Sequence, residues 1–228
     1  MFKKNRIAGV DEVGRGCLAG PVFSAAVILN EKINKKDIKD SKKIPFKKRI
    51  LISNYIKKNS IYAVGTASVE EINKINILNA SLLSMKRALK KLKKKPSIAY
   101  IDGLFIPKNV KIKCKAIVKG DEKITSIAAA SIVAKVERDA LMNELHESFP
   151  AYGFNSNKGY GTKHHIDAIN AIGPCDIHRF SFKPVYETAK DHNVFLDRIE
   201  MSSHKRNISD TSLKLDAQGN LPGFFKDK

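Results

Sequence analysis

The sequence has no apolar run approaching the roughly 18 residues that a membrane-spanning helix needs. Its first residues, MFKKNRIAGVDEVG, carry two lysines but no apolar core segment and no small-residue cleavage site, which argues against secretion. Cysteine is scarce. Cys17, Cys114 and Cys175 are three in number, far apart, and form no Cys-x-x-Cys pair. This disfavours a disulfide framework or a Cys-based metal site and points to reduced thiols in a cytoplasmic protein. No Gly-x-x-x-x-Gly-Lys-Ser/Thr loop is present, so a nucleoside triphosphatase is unsupported. Acids are outnumbered, at 23 against 42 bases, which leaves 42 − 23 = +19. Arginine is rare among those bases: eight, against 34 lysines. Two sources of the lysine excess stay open. One is phosphate neutralisation; the other is AT-rich coding, since Ile and Asn are abundant too. Charge alone decides nothing.

What the chain does have is enough apolar residues, 43% of 228, to bury one sizeable core. That excludes a wholly disordered basic chain. Apolar runs predict strands over residues 6–10, 22–29, 61–67, 97–101 and 111–118. Pro45 suits the first turn of a helix reaching residue 58. Ser68 with Glu71 reads as a capping box, and a more basic helix is predicted over 76–95. Residues 126–149 are Ala-rich, with Ile127, Ile132, Val136, Leu141 and Leu145 at helical spacing. A polar Gly/Lys/Tyr loop follows at 152–161. Thr162 caps a further helix that Gly173-Pro174 ends, and a last helix starts near Pro184. Beyond about residue 200 the periodicity is lost. The expected organisation is one catalytic domain, 1–200, and a polar tail without fixed structure, 201–228. The order β-β-α-β-α-β-β-α-α-α predicts an α/β fold on a mixed sheet flanked by helices, with a helical C-terminal portion.

The informative feature is where acids interrupt apolar strands. Asp11 and Glu12 follow Ile7-Ala8-Gly9-Val10, Asp102 follows Ile98-Ala99-Tyr100-Ile101, and Asp121 follows a third such run. A carboxylate inside or just past a buried strand is costly unless paired or bound to metal. In an α/β sheet, functional groups gather at strand ends. Any one of these acids alone is equally read as a cap or turn residue. Together, on one sheet edge, four carboxylates without His or Cys suit hard divalent ions, Mg²⁺ or Mn²⁺. Two such ions about 4 Å apart form the clamp used for in-line phosphodiester hydrolysis. The glycine turn from Gly14 reads Gly-x-Gly-x-x-x-Gly and leads through Pro21 into a strand, so it is not a dinucleotide fingerprint. Gly14 and Gly16 around Arg15 instead permit close backbone approach to a ligand such as a ribose 2′-hydroxyl.

These residues resemble the ribonuclease HII family, the bacterial type 2 ribonuclease H, over roughly residues 6–190. The resemblance is carried by Gly9-Val10-Asp11-Glu12-Val13-Gly14-Arg15-Gly16, Leu18-Ala19-Gly20-Pro21-Val22, Asp40-Ser41-Lys42-Lys43 and Tyr100-Ile101-Asp102-Gly103. It continues in Lys119-Gly120-Asp121, in the Ser126–Val136 stretch, in Lys158-Gly159-Tyr160-Gly161-Thr162 and in His178-Arg179-Phe180-Ser181-Phe182. It implies a ribonuclease H-like fold and a monomer. It implies endonucleolytic cleavage of RNA in RNA–DNA hybrids and nicking 5′ of single ribonucleotides in duplex DNA, leaving 3′-hydroxyl and 5′-phosphate ends. By the family pattern Asp11, Glu12, Asp102 and Asp121 bind the metals, and Gly14, Arg15 and Gly16 read the 2′-hydroxyl. Tyr160 stacks on the neighbouring deoxyribose, and Lys42 and Lys43 contact phosphates. A solvated basic face remains open for the two lysines, and a loop aromatic covering the core for Tyr160.

Three further features stand apart. Cys17 occupies a position where proline is commonest in that family. Asp139 reads as an ion-pair partner of neighbouring Arg138, and His178 with Arg179 as structural. His164 and His165 start a helix near the presumed cleft and read as surface residues, with proton shuttling the open alternative. In the tail, Gln218, Leu221, Phe224 and Phe225 have the spacing Gln-x-x-aliphatic-x-x-aromatic-aromatic, which resembles the peptide that docks on the eukaryotic and archaeal sliding clamp. Bacterial clamps prefer a different peptide, so a tail that merely carries apolar residues stays open as the other reading. Two other readings stay open: a non-catalytic basic nucleic-acid binder, which leaves the strand-end acids unexplained, and a two-metal nuclease of different specificity.

Overall fold

The apolar runs pair into one five-stranded sheet in the computed structural model, which describes residues 6–38 and 44–192. Its strands are β1 (Ile7–Val13), β2 (Val22–Leu29), β3 (Ser60–Ala67), β4 (Ile98–Asp102) and β5 (Lys113–Ile117), in the order β3-β2-β1-β4-β5. β1 is antiparallel to β2 and parallel to β4, and β4 is parallel to β5. The sheet is mixed, and its three parallel strands end on one edge.

Seven helices complete the described fold: α1 (Phe46–Asn59), α2 (Val69–Lys91), α3 (Gly120–Lys123), α4 (Thr125–Ser148), α5 (Phe154–Asn157), α6 (Lys163–Ile172) and α7 (Lys183–Asp191). Side-chain alternation along the strands supplies two apolar faces. On one, the α4 residues Ala128, Ala129, Ile132 and Val133 pack with Ala25 and Val27 and with Ile52 and Ile56 of α1. On the other, Met85, Ala88 and Leu89 of α2 cover Ala8, Val10, Ala99 and Ile101. The small residues have a geometric cause. A Cβ on Gly9 of β1 would lie 2.1 Å from the backbone of Ser126, so α4 rests directly on the strand. In so tight a layer, enlarging Ala129 would cost about 1–3 kcal/mol by overpacking. A third cluster joins Leu18 and Ala19 to Leu141, Met142, Tyr152, Phe154, Ile169 and Val185, and it anchors the helical C-terminal part.

Local signals behave as their chemistry requires. The Ser68 hydroxyl accepts from the Glu71 amide at 3.2 Å, and the Glu71 carboxylate accepts from the Ser68 amide at 2.9 Å. α2 breaks at Asn76, where φ is 65°. The Asn76 side chain then accepts from the Asn79 amide at 3.1 Å and caps the second half, which is the helix predicted to begin there.

Some boundaries move. β1 continues three residues beyond Val10, because Asp11, Glu12 and Val13 still pair with Ala25, Ser24 and Phe23 of β2. The two acids therefore lie inside the strand. Pro45 stands just before α1 rather than in its first turn. β5 is shorter than its apolar run, and the loop after α4 contains α5. Among the described residues no helix is long and apolar enough to cross a membrane. The predicted tail, 201–228, lies outside the described residues.

Candidate functional site

The carboxylates meet where the parallel strands end. β1 and β4 pair in register from Ile7↔Ile98 to Val10↔Ile101, so the next step sets Asp11 beside Asp102. Asp11 is buried, at 5% exposure. Its Oδ1 accepts from the Glu12 amide at 2.7 Å, and Ser131 of α4 hydrogen-bonds its side chain. Burial, and then the charges of Glu12 and Asp102, push the Asp11 carboxyl well above its ordinary value. Burial raises Glu12 too, while Arg15 pulls the other way through a 3.2 Å contact between its Nη1 and Glu12 Oε1.

Asp121 reaches this edge by a different route. After β5, Lys119 takes a left-handed conformation, φ 52°, and starts α3, whose first turn holds Asp121. The Gly120 amide donates to Asp102 Oδ1 at 2.6 Å, which ties that turn to β4. A Cβ there would come within 2.6 Å of Ile127 Cδ1 and 3.2 Å of Asp102 Oδ1, so a larger residue needs the Ile127 side chain to shift. The fold thus brings Asp11, Glu12 and Asp102 into mutual electrostatic range and tethers the Asp121 turn beside them. Among the described residues, no three His, Cys, Asp or Glu side chains already form a closed metal-ligand group. The donor set itself, carboxylate oxygens without His or Cys, fits a hard divalent ion.

Beside the carboxylates lies the glycine turn, and it is held by backbone. Cys17 bridges Tyr160 and Ala19 bridges His178. The Leu18 amide donates to Gly159 O at 2.7 Å, and the Arg179 amide donates to Leu18 O at 2.8 Å. Two buried arginines lie beneath. Arg138 donates to the carbonyls of Pro21, Lys158 and Ala19 at 3.0, 2.7 and 3.0 Å. Arg179 donates to those of Gly20 and Arg15, both at 2.9 Å. Burial, and then the like charge of Arg138, pull Arg179 down to about 9.

The two glycines differ. Gly14 has φ 92°, and a Cβ there would fall 2.2 Å from Arg138 Nε. A Cβ on Gly16 would meet nothing within 4 Å, so packing within the chain does not demand glycine there. Tyr160 is 40% exposed beside this turn, with Lys135 Nζ 5.7 Å from its ring centroid.

The predicted set therefore divides. Asp11, Glu12 and Asp102 share the strand-end edge, and the α3 turn that carries Asp121 is tied to Asp102 through Gly120. Gly14, Arg15 and Gly16 form the adjoining turn, and Tyr160 bridges Cys17 beside it. Lys42 and Lys43 lie outside the described residues. Two side readings need correction. Asp139 pairs with Lys135 at 2.7 Å and Arg49 at 3.8 Å rather than with Arg138; successive helix residues point in different directions. His165 is fully buried, not on the surface. Sequence reading missed Ser131 and the carbonyl-binding role of Arg138. The available signal was the Ser131 hydroxyl inside the apolar run 127–134; Arg138, flanked by Glu137 and Asp139, offered none.

Known proteins resemble this chain over most of its length. The family model described as Ribonuclease HII matches residues 8–185. The ribonuclease HII of Pelagibacter ubique (strain HTCC1062) is 55% identical over 179 residues, covering 78% of this chain and 96% of that protein. Among solved structures, the ribonuclease H2 of Pyrococcus horikoshii OT3 superposes with a TM-score of 0.68 at 25% identity, over 82% of this chain and 99% of that one. The ribonuclease HII of Archaeoglobus fulgidus, solved as a complex with PCNA, gives 0.63 at 28% identity, over 78% of this chain and 95% of that one. A family match over residues 8–185, with relatives about half identical across most of the length, leads to one conclusion: the chain belongs to the ribonuclease HII family.

Proposed function

We propose that this ribonuclease hydrolyses the RNA strand of RNA–DNA hybrids and nicks 5′ of single ribonucleotides in duplex DNA. The observation that carries the reading is the juxtaposition of the acid edge with the Gly14–Gly16 turn and Tyr160. Asp11, Glu12, Asp102 and Asp121 would hold the divalent ions, Mg²⁺ or Mn²⁺. When bound, such ions supply an attacking water of lowered pKa and neutralise charge on the leaving oxygen. The chain's own share is positional. Parallel strands fix Asp11 and Asp102 side by side, and Ser131 orients the Asp11 carboxyl. The arginine clasp holds the Gly14–Gly16 backbone still, so that peptide groups can hydrogen-bond a 2′-hydroxyl without reorganising. Tyr160 would lie against the sugar of the next nucleotide, and Lys42 and Lys43 would take flanking phosphates.

A metal-dependence assay on an RNA–DNA hybrid separates this reading from a basic nucleic-acid binder. Cleavage in Mg²⁺ or Mn²⁺ that stops with a chelator supports it. Retention of the hybrid with no cleavage in either ion rejects it.

We infer separately that the tail segment Gln218–Phe225 docks a sliding clamp. Its residue spacing supports this, as does the PCNA complex formed by the Archaeoglobus relative. Titration of a peptide spanning 210–228 with a clamp from the source organism tests it. Absence of binding rejects it.

A further inference from the structure

Behind Tyr160 lies a buried polar chain that the proposed chemistry does not use. His165 and His178 are both fully buried, and their Nε2 atoms stand 3.0 Å apart. His165 Nδ1 lies 2.8 Å from the carbonyl oxygen of Tyr160. The Cys175 amide lies 3.0 Å from His178 Nδ1, and Cys175 Sγ lies 3.1 Å from it.

Elementary hydrogen-bond chemistry fixes the protons. A carbonyl only accepts, so His165 Nδ1 carries a hydrogen. A neutral ring then leaves His165 Nε2 as a lone pair. The facing His178 Nε2 must therefore donate, which leaves His178 Nδ1 as the acceptor. That is the role its amide neighbour requires, since the Cys175 N–H can only donate. The chain runs in one direction: Cys175 N–H to His178 Nδ1, His178 Nε2–H to His165 Nε2, His165 Nδ1–H to the Tyr160 carbonyl. The two rings are of opposite tautomer. The Cys175 carbonyl, 3.3 Å from His178 Nδ1, is the longer contact and stays out of this pattern.

The rings are held in place. Tyr152 lies 4.8 Å from His178, and Phe154 lies 5.3 Å from His165, nearly edge-on. The Tyr152 hydroxyl is anchored on Gly173 O at 2.7 Å. Burial lowers His165 below its ordinary value against the opposing pull of the Tyr160 carbonyl, and the charge of neighbouring His164 adds to the lowering, which favours a neutral His165 ring. Both ends of the chain touch recognition elements. Tyr160 pairs with Cys17, next to Gly16, and His178 pairs with Ala19. The Tyr160 carbonyl also accepts from the Thr162 amide at 2.8 Å, so both of its lone pairs are engaged.

We propose that His165 and His178 are positioning residues. Their fixed-tautomer relay sets the Tyr160 backbone, and through it the placement of the Tyr160 ring against the substrate sugar. This rests on the reading of Tyr160 as a substrate contact. A site that depends on exact placement loses rate when a support shifts by an ångström.

The test has two arms. Long-range ¹⁵N NMR of the full chain at neutral pH reads the tautomers directly. A protonated Nδ1 on His165 and a protonated Nε2 on His178 are expected; the same tautomer on both rings, or doubly protonated rings, overturns the proposal even where no variant folds. The second arm compares His165→Asn, His165→Gln and Tyr160→Ala on a duplex with one ribonucleotide. The Asn amide can reach the Nδ1 position and keep the bond to Tyr160, whereas the Gln amide reaches only the Nε2 position. His165→Gln should raise KM about tenfold with kcat little changed, and His165→Asn should stay within about threefold of the parent. A damaged Tyr160→Ala beside a His165→Gln that matches the parent overturns the positioning role alone. Unchanged kinetics in Tyr160→Ala overturn both this role and the reading of Tyr160 on which it rests.

Discussion

The acid edge and the glycine clasp are neighbours built on opposite principles. At the edge, side chains of one charge sit on rigid strand ends, and burial with mutual repulsion raises Asp11 and Glu12. In the clasp, the working surface is backbone, and the charge is buried underneath as Arg138 and Arg179, each aimed at carbonyls. One region stores electrostatic cost that a cation can offset. The other spends arginine hydrogen bonds on making a glycine loop rigid. On the proposed function, chemistry and recognition are separable in this fold, and variants should divide them.

The largest effect falls on the edge. Asp121→Asn should lower kcat by a thousandfold or so while melting and circular dichroism stay near those of the parent. An unchanged rate would remove Asp121 from the ligand set. A smaller effect distinguishes the two glycines of the clasp. Gly14→Ala should lose about 2 kcal/mol or more, because its left-handed backbone and the Arg138 guanidinium both resist a Cβ. Gly16→Ala should melt within about 0.5 kcal/mol of the parent, yet nick ribonucleotide-containing duplex about tenfold more slowly. Equal melting losses in the two variants would erase the distinction between a packed and a ligand-facing glycine.

The smallest effect is on stability against pH. Asp11 and Glu12 hold their protons more tightly in the folded chain than in the unfolded one. Their contribution is therefore fully present below the ordinary values of 3.8 and 4.5 and is lost as pH rises through the raised ones. In chelator, the melting temperature should fall over that window. Asp11→Asn should flatten the fall and add about 1 kcal/mol, or about 2–4 °C, above it. A variant no more stable than the parent there would mean that the edge carries no stored cost.

The same contrast explains what was legible in the sequence. Asp11, Glu12 and Asp102 announce themselves because a carboxylate inside an apolar strand breaks a strong local pattern. Ser68 and Glu71 are legible for a similar reason, as two groups three residues apart that satisfy each other's backbone. The clasp is assembled from positions far apart in the chain: the Arg138 Nη1 bond to Lys158 O spans 20 residues, and the Arg179 Nη1 bond to Arg15 O spans 164. No local periodicity encodes such pairs. The burial of His165 was hidden too, since it depends on Tyr152 and Phe154 closing over it. Asp139 shows the error that adjacency invites, for its partners lie four residues along the helix and on α1, not next to it.

The most direct test of the division between chemistry and recognition is to map the cut in a duplex carrying one ribonucleotide. The account predicts a single nick on the 5′ side of that ribonucleotide in Mg²⁺ or Mn²⁺, with 3′-hydroxyl and 5′-phosphate ends, and none in the all-deoxy duplex. Cuts scattered along the strand, or equal cutting of the all-deoxy duplex, would contradict it.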